Sequence, residues 1–207
     1  MFYYLVTTTN FEETIRSNIL KLSEIKIQKL ETGRLILIPY TIEICENILL
    51  KNHELLYNKG YKEGKSWPDE DVMDTIPRII KNLSKNNYAT GLESWLIIKN
   101  DTKEIIGDVG FKGYNFDSQN VDLGYGIISE ERRKGYAEEA SRELINWVLK
   151  LDYIKEITAN CSTENFQSIH LLNKLAFHQL KVNESMIYWS LKKLNLDNGV
   201  GNFNEKT

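Results

Sequence analysis

The chain is poor in the residues that staple, ligate or span. Its two cysteines, Cys45 and Cys161, stand alone without paired spacing, which excludes a disulfide framework and a cysteine zinc site. The three histidines, His53, His170 and His178, have neither ligand nor triad spacing, so no metal is expected. No apolar run approaches the length of a membrane span, and the opening MFYYLVTTTNFEET lacks the basic n-region and small-residue cleavage site of a signal peptide. The cytoplasm is therefore the expected compartment. A net charge of -3 leaves no clustered basic excess, so neither nucleic acid nor a membrane surface is an expected partner. There is no repeat, and 42% hydrophobic residues in 207 suffice for one core, so a single domain is expected.

What is present centres on the stretch from Asn120 to Trp147. Val121 to Ile128 is short, apolar and rich in β-branched or aromatic residues, and reads as a buried strand. A helix follows, with Ala137, Ala140, Leu144 and Val148 at helical spacing, Ile145 and Trp147 widening the apolar face, and Glu138, Glu139 and Arg142 turned away. Between them lies the basic turn Glu131 to Ala137. Gly135 lets the backbone approach a ligand, and the unpaired amides of the helix start point outward at the positive end of its dipole. Such a turn suits an anion, most commonly phosphate.

Spacing narrows the choice of phosphate loop. A Walker loop is excluded because Gly-Lys-Ser/Thr is missing, and a dinucleotide fingerprint because Gly124 and Gly126 sit inside the strand and Ser129 stands where the third glycine belongs. What fits is Arg132-x-x-Gly135-x-Ala137 after a strand carrying Leu123-Gly124-Tyr125, followed by Ile157 to Phe177 with Asn165, Ser168, Lys174 and Phe177 in order. These segments resemble the acetyl-CoA motif and the Asn-x-x-Ser signature of the GNAT N-acetyltransferases, in particular the branch containing the ribosomal-protein N-terminal (alanine/serine) acetyltransferases. The resemblance covers about residues 31–192. Ala176 departs from the family's helix-end glycine. A left-handed cap would cost an alanine roughly 1 kcal/mol, so a different closure is expected there.

Along the rest of the chain, residues 1–30 read as an N-terminal extension, with helical spacing from Phe11 to Ile25, and residues 193–207 as a polar tail. Between them the domain opens with an apolar strand around Leu30 to Thr41 that resembles the family's Thr-x-Arg-Leu strand. Helical patterns cover Ile42 to Tyr57 and Asp69 to Asn86, and Pro77 is expected to break or kink the second. Strands are expected at Glu93 to Lys99, Glu104 to Tyr114, Val121 to Ile128 and Glu156 to Cys161, with a closing hairpin from Gln179 to Leu191. Hairpins on both sides of a strand-helix-strand-helix centre imply an α/β (α+β) fold with a mixed, mostly antiparallel sheet and helices on both faces. By resemblance this is the GNAT fold, with six to seven strands. Its fourth and fifth strands, here Val121 to Ile128 and Glu156 to Cys161, splay apart to admit pantetheine, and Gly124 and Gly126 suit a bulge that begins the splay.

The resemblance implies acetyl transfer from acetyl-CoA to an amine, either a protein N-terminus or a small molecule, by direct attack in a ternary complex and without a metal. A catalytically inactive acyl-CoA-binding sensor is the alternative, and the protein could be a monomer or a homodimer. The pyrophosphate is expected on the amides of Arg133, Lys134, Gly135, Tyr136 and Ala137, with the Arg132, Arg133 and Lys134 side chains adding charge. A strand amide near Ile127 or Ile128 would polarise the thioester, and Asn165 would orient the pantetheine or cap its helix. Asp122 is the expected base, with Glu93 and Asp108 in reserve. The family's tyrosine acid is replaced by Leu172, so Ser168 is the expected acid, also within the cofactor site. Trp67 and Glu93 are candidates for contact with the acceptor, although Trp67 could instead cover the rim of the core.

Overall fold

A computed structural model describes residues 29–85 and 89–193. The helix expected from Phe11 to Ile25 and the polar tail lie outside the described residues. Strands β1 (Leu30–Glu31) and β2 (Leu35–Pro39) form the first hairpin. Leu35, Ile36, Leu37 and Ile38 are all buried because both faces of β2 are covered.

The single helix expected from Ile42 to Tyr57 is two. In α1 (Ile42–Leu49) the Thr41 hydroxyl accepts from the Ile44 amide at its start, and Lys51 turns left-handed just past its end. The Asn52 side chain then accepts from the Glu54 amide at the start of α2 (Glu54–Asn58). A two-residue strand β3 (Lys62–Glu63) follows, too short for any sequence period to show, and pairs in parallel with β5 (Glu104–Asn115). Helix α3 (Glu70–Leu83) is capped by the Asp69 carboxylate and runs on through Pro77 without interruption. Pro77 is exposed, so the carbonyl left without its amide donor lies on the solvent side, while Val72, Ile76, Ile79 and Leu83 anchor the buried stripe.

The sheet continues through β4 (Ser94–Lys99), β5, β6 (Asn120–Ile127), β7 (Glu156–Ser162), β8 (His178–Val182) and β9 (Met186–Lys192). Its order is β1-β2-β4-β5-β6-β7-β9-β8, with β3 beside β5, and among the described residues only β3–β5 and β6–β7 are parallel pairs. Among the described residues the short strands β1 and β3 bring the total to nine, above the six to seven expected. Helices cover both faces. Trp95 of β4 meets Trp147 of α4 (Tyr136–Val148) edge-on at 5.5 Å on one face, and α3 lies over Asp108 and Gly110 on the other.

The feature that positions the site is the parting of β6 from β7. Pairing runs from Asn120 opposite Glu156 to Leu123 opposite Ala159 and stops, although both strands continue. Gly124 and Gly126 are not a bulge, since they hold regular register with Gly110 and Asp108 of β5. The irregularity lies earlier, between Phe111 and Tyr114. Helix α5 (Phe166–Lys174) ends in the left-handed cap that its alanine was expected to avoid. Ala176 has a φ of 63°, the Phe177 amide donates to the Leu172 carbonyl, and the Ala176 amide donates to that of Asn173.

Candidate functional site

The basic turn lies at the open end of the parted strands. Arg133 and Gly135 both take positive φ, 63° and 83°, which turns the chain sharply into α4 with no side-chain cap at Gly135. Among the described residues no protein acceptor takes the amides of Arg133 to Glu138, and the first helical bond runs from Glu139 to the Gly135 carbonyl. A row of free donors at the positive end of a helix dipole is the surface a pyrophosphate requires, so these residues fit a phosphate-bearing cofactor. The cations are used unequally. Arg132 turns back and donates through Nε to the Ile127 carbonyl at 2.7 Å, Lys134 pairs with Glu131 at 2.9 Å, and Arg133 is exposed.

A brace that the loop motif does not contain holds this turn. The Arg34 Nε donates to Glu139 at 2.6 Å, its Nη1 donates to the Lys134 carbonyl at 3.0 Å, and its guanidinium lies 4.7 Å from the Tyr136 ring centroid. Thr32 and the Arg34 amide donate to the other oxygen of Glu139. Burial alone would raise the Glu139 carboxyl, but the bonds from Thr32 and Arg34 hold it below its ordinary value. The Thr32-x-Arg34 pattern of the opening strand was the available signal for this brace.

From the turn a channel of about 560 Å³ runs past Tyr125, Gly126 and Ile127 to Asn165, Ser168 and Lys174. In an antiparallel ladder alternate residues bond to the same neighbour, and the Ile128 amide already donates to the Ile106 carbonyl at 2.9 Å. Ile128 is therefore not a free donor, which corrects one of the two positions expected to polarise a thioester. By the same alternation the amides of Tyr125 and Ile127 face the side from which β7 has withdrawn. The Asn165 side chain accepts from the Ser168 amide at 3.0 Å, capping α5. Burial raises the Tyr125 hydroxyl above its ordinary value, with Ser168 close enough to oppose this, although no well-aligned hydrogen bond joins them.

A second cavity, of about 340 Å³, lies between the first turns of α3 and strands β5 and β6, and shares Asp71, Tyr125, Gly126 and Ile127 with the channel. Asp108 lines it, directly opposite Gly126. Burial, with Asp69 adding and Arg78 opposing, pushes its carboxyl up to about 7.

The other acidic candidates sit elsewhere. Asp122 faces a different hollow, in the stretch where β6 and β7 are still paired, with Lys112 Nζ 2.5 Å from Oδ1 and Thr158 donating to Oδ2 at 3.2 Å. That location corrects the expectation that Asp122 meets the reacting atoms: its carboxylate is held by a lysine, and three residues of strand lie between it and Gly126. Glu93 lines the same hollow, is 4% exposed, and accepts from the Thr90 amide and hydroxyl at 3.0 and 2.8 Å. Burial raises its carboxyl while those bonds lower it. Trp67 is 4% exposed and packs edge-on to His53, so it covers the core and lines neither the channel nor the cavity beneath α3. Cys161 is buried on β7 and lines neither the channel nor the cavity beside it. Among the described residues no helix is long and apolar enough to cross a membrane.

Comparison with known proteins agrees with this geometry. The family model for the acetyltransferase (GNAT) domain matches residues 34–178. The N-acetyltransferase YjdG of Bacillus subtilis (strain 168) is 36% identical over 148 residues, spanning 72% of this chain and 88% of its own. Among solved structures, the ribosomal-protein-S5-alanine acetyltransferase of Vibrio fischeri aligns at a TM-score of 0.56 and 19% identity, over 82% of this chain and 98% of that one. The microcin C7 self-immunity acetyltransferase MccE, solved with acetyl-CoA and AMP, aligns at 0.54 and 14% identity, over 78% and 93%. At these identities the two structures speak to the fold alone.

Proposed function

The chain belongs to the GNAT acetyltransferase family and is an acetyl-CoA-dependent acetyltransferase, and on that premise we propose that it acetylates a primary amine by direct attack while both substrates are bound. The observation that carries this reading is the wall shared by the channel and the second cavity. Asp71, Tyr125, Gly126 and Ile127 border both, so a thioester lying along β6 and an amine entering beneath α3 meet without either leaving. No covalent relay through the protein is needed.

Within this reading the amides of Arg133 to Ala137 receive the pyrophosphate, with Arg133 and Lys134 adding charge at the rim. Arg132 acts mainly by fixing the end of β6 through the Ile127 carbonyl. The Ile127 amide faces the gap where the thioester oxygen would gain charge as the amine adds. Asn165 holds the start of α5 so that Ser168 borders the channel, where its hydroxyl can supply the proton that the departing thiolate requires. Asp122, Glu93 and Trp67 have no part in the chemistry. The domain so used is residues 31–192.

The acceptor in this reading is a primary amine, of a protein N-terminus or of a small molecule. Four carboxylates, Asp69, Asp71, Asp74 and Asp108, line the cavity against two cations, Arg78 and Lys112, so an amine can enter in its common ammonium form. Initial rates of thiol release, measured while acetyl-CoA and acceptor are varied together, test the order of events. Intersecting double-reciprocal lines agree with a ternary complex, and parallel lines contradict it. The panel comprises putrescine, other small amines, and peptides beginning Ala, Ser or Met.

A further inference from the structure

We propose that Asp108 is the catalytic base, taking the proton of the acceptor ammonium at the floor of the cavity beneath α3. This rests on the acetyl-transfer reading above and assigns a step that sequence motifs place elsewhere.

The argument begins with register. Asp108 is paired with Gly126, which lies beyond the last β6–β7 pair and borders both the channel and the cavity. Because Gly126 has no side chain, the carboxylate can extend over it. A Cβ on Gly126 would stand only 3.2 Å from Asp108 Oδ1. The carboxylate is thus beside the strand segment against which the thioester would lie, on the side from which an amine can arrive.

Its surroundings suit the task. Among the described residues no cation lies within ion-pair distance of Asp108, unlike Asp122, which Lys112 holds at 2.5 Å. The groups facing it are Asp69, Asp71, Asp74 and Arg78 around the start of α3, the buried Tyr40 hydroxyl beyond β2, and Lys112 and Tyr125 on the cavity wall. Burial and the neighbouring carboxylates raise its proton affinity until it can both accept a proton and release it near neutral pH, whereas an unperturbed aspartate would be too weak a base.

The step balances as follows. The ammonium proton passes to the Asp108 carboxylate, and the freed nitrogen lone pair forms a C–N bond to the thioester carbon. The C–S bond breaks, its electron pair leaves on sulfur, and the resulting thiolate takes the Ser168 hydroxyl proton, while the second proton that the nitrogen loses as the amide forms passes through channel water to restore that hydroxyl. Asp108 then returns its proton to water through the cavity mouth.

The test compares wild type, Asp108→Asn and Asp108→Glu for thiol release across pH. The acceptors are whichever of putrescine and an Ala-initiated peptide is faster, and hydroxylamine, which is already largely neutral at pH 7 and needs no base. We expect Asp108→Asn to lose at least about a hundredfold in kcat/KM with the ammonium acceptor, and to lose the acid limb of the pH profile. Hydroxylamine turnover should fall less than about tenfold, acetyl-CoA affinity should stay within about twofold, and Asp108→Glu should recover part of the rate. An acid limb that persists in Asp108→Asn, or equal losses with both acceptors, overturns the assignment. Wild-type protein that binds acetyl-CoA and releases no thiol with any acceptor overturns the acetyl-transfer reading itself, and the assignment with it.

Discussion

Asp108 and Gly126 face each other across the β5–β6 ladder, and the glycine's missing side chain is what leaves room for the carboxylate over the strand. The pairing puts a half-buried acid where the two cavities meet, and it carries a consequence for stability. Burial lifts the folded-state value of Asp108 from 3.8 to about 7, so between those limits the folded protein holds a proton that the unfolded chain gives up. The contribution of this group is fully present below pH 3.8 and is lost as pH rises through about 7.

Asp108→Asn should therefore be more stable than wild type above pH 7, by about 2 kcal/mol once solvent at the cavity mouth is allowed for. Calorimetric melting at pH 8 and at pH 4.5 checks this: the gain should be full at the first and reduced to a small part of it at the second. Equal melting temperatures at pH 8 would mean that the carboxylate is not perturbed in the folded protein.

Gly135→Val tests the phosphate turn. The backbone there has a φ of +83°, and an added Cβ would lie 3.4 Å from Arg34 Nη2, so a branched side chain strains the turn and crowds the free amides. Acetyl-CoA affinity measured by titration calorimetry should fall at least about tenfold, a loss of about 1.4 kcal/mol. Circular dichroism should show the fold retained.

Arg34→Ala tests the brace. It removes the bonds to Glu139 and the Lys134 carbonyl together with the stacking on Tyr136, so the turn should loosen. Acetyl-CoA affinity should weaken by about 1 kcal/mol, because these contacts are half exposed. An unchanged dissociation constant would show that the turn holds its shape unaided.

Ala176→Gly should stabilise the protein without touching the chemistry. Ala176 sits at a φ of 63° in the cap of α5, where glycine carries no steric penalty. A gain of roughly 1 kcal/mol is expected, about 2–4 °C in Tm, with turnover unchanged.

The sequence made some of this legible and hid the rest for identifiable reasons. The turn from Arg132 to Ala137 could be read because its chemistry is local: a glycine, a helix start and a fixed spacing. The parting of β6 from β7 was expected from the family resemblance, but the bulge assigned to Gly124 and Gly126 was not found. Gly126 serves to leave space over the strand, which only its cross-strand partner Asp108 reveals. Asp122 drew attention as a lone acid in an apolar strand, yet its meaning depended on Lys112, ten residues earlier and brought beside it by the β5–β6 pairing. The exposure that lets α3 run straight through Pro77 is not written in the local pattern, and the packing of Trp67 on His53 joins residues fourteen positions apart.

The most direct test of the central claim is mass spectrometry of the acceptor panel after incubation with acetyl-CoA carrying an isotopically labelled acetyl group. The account predicts that the label appears as an amide on at least one amine or peptide N-terminus, in amounts matching the thiol released. Thiol release with the label found on the protein itself or as free acetate, and on no acceptor, would contradict it.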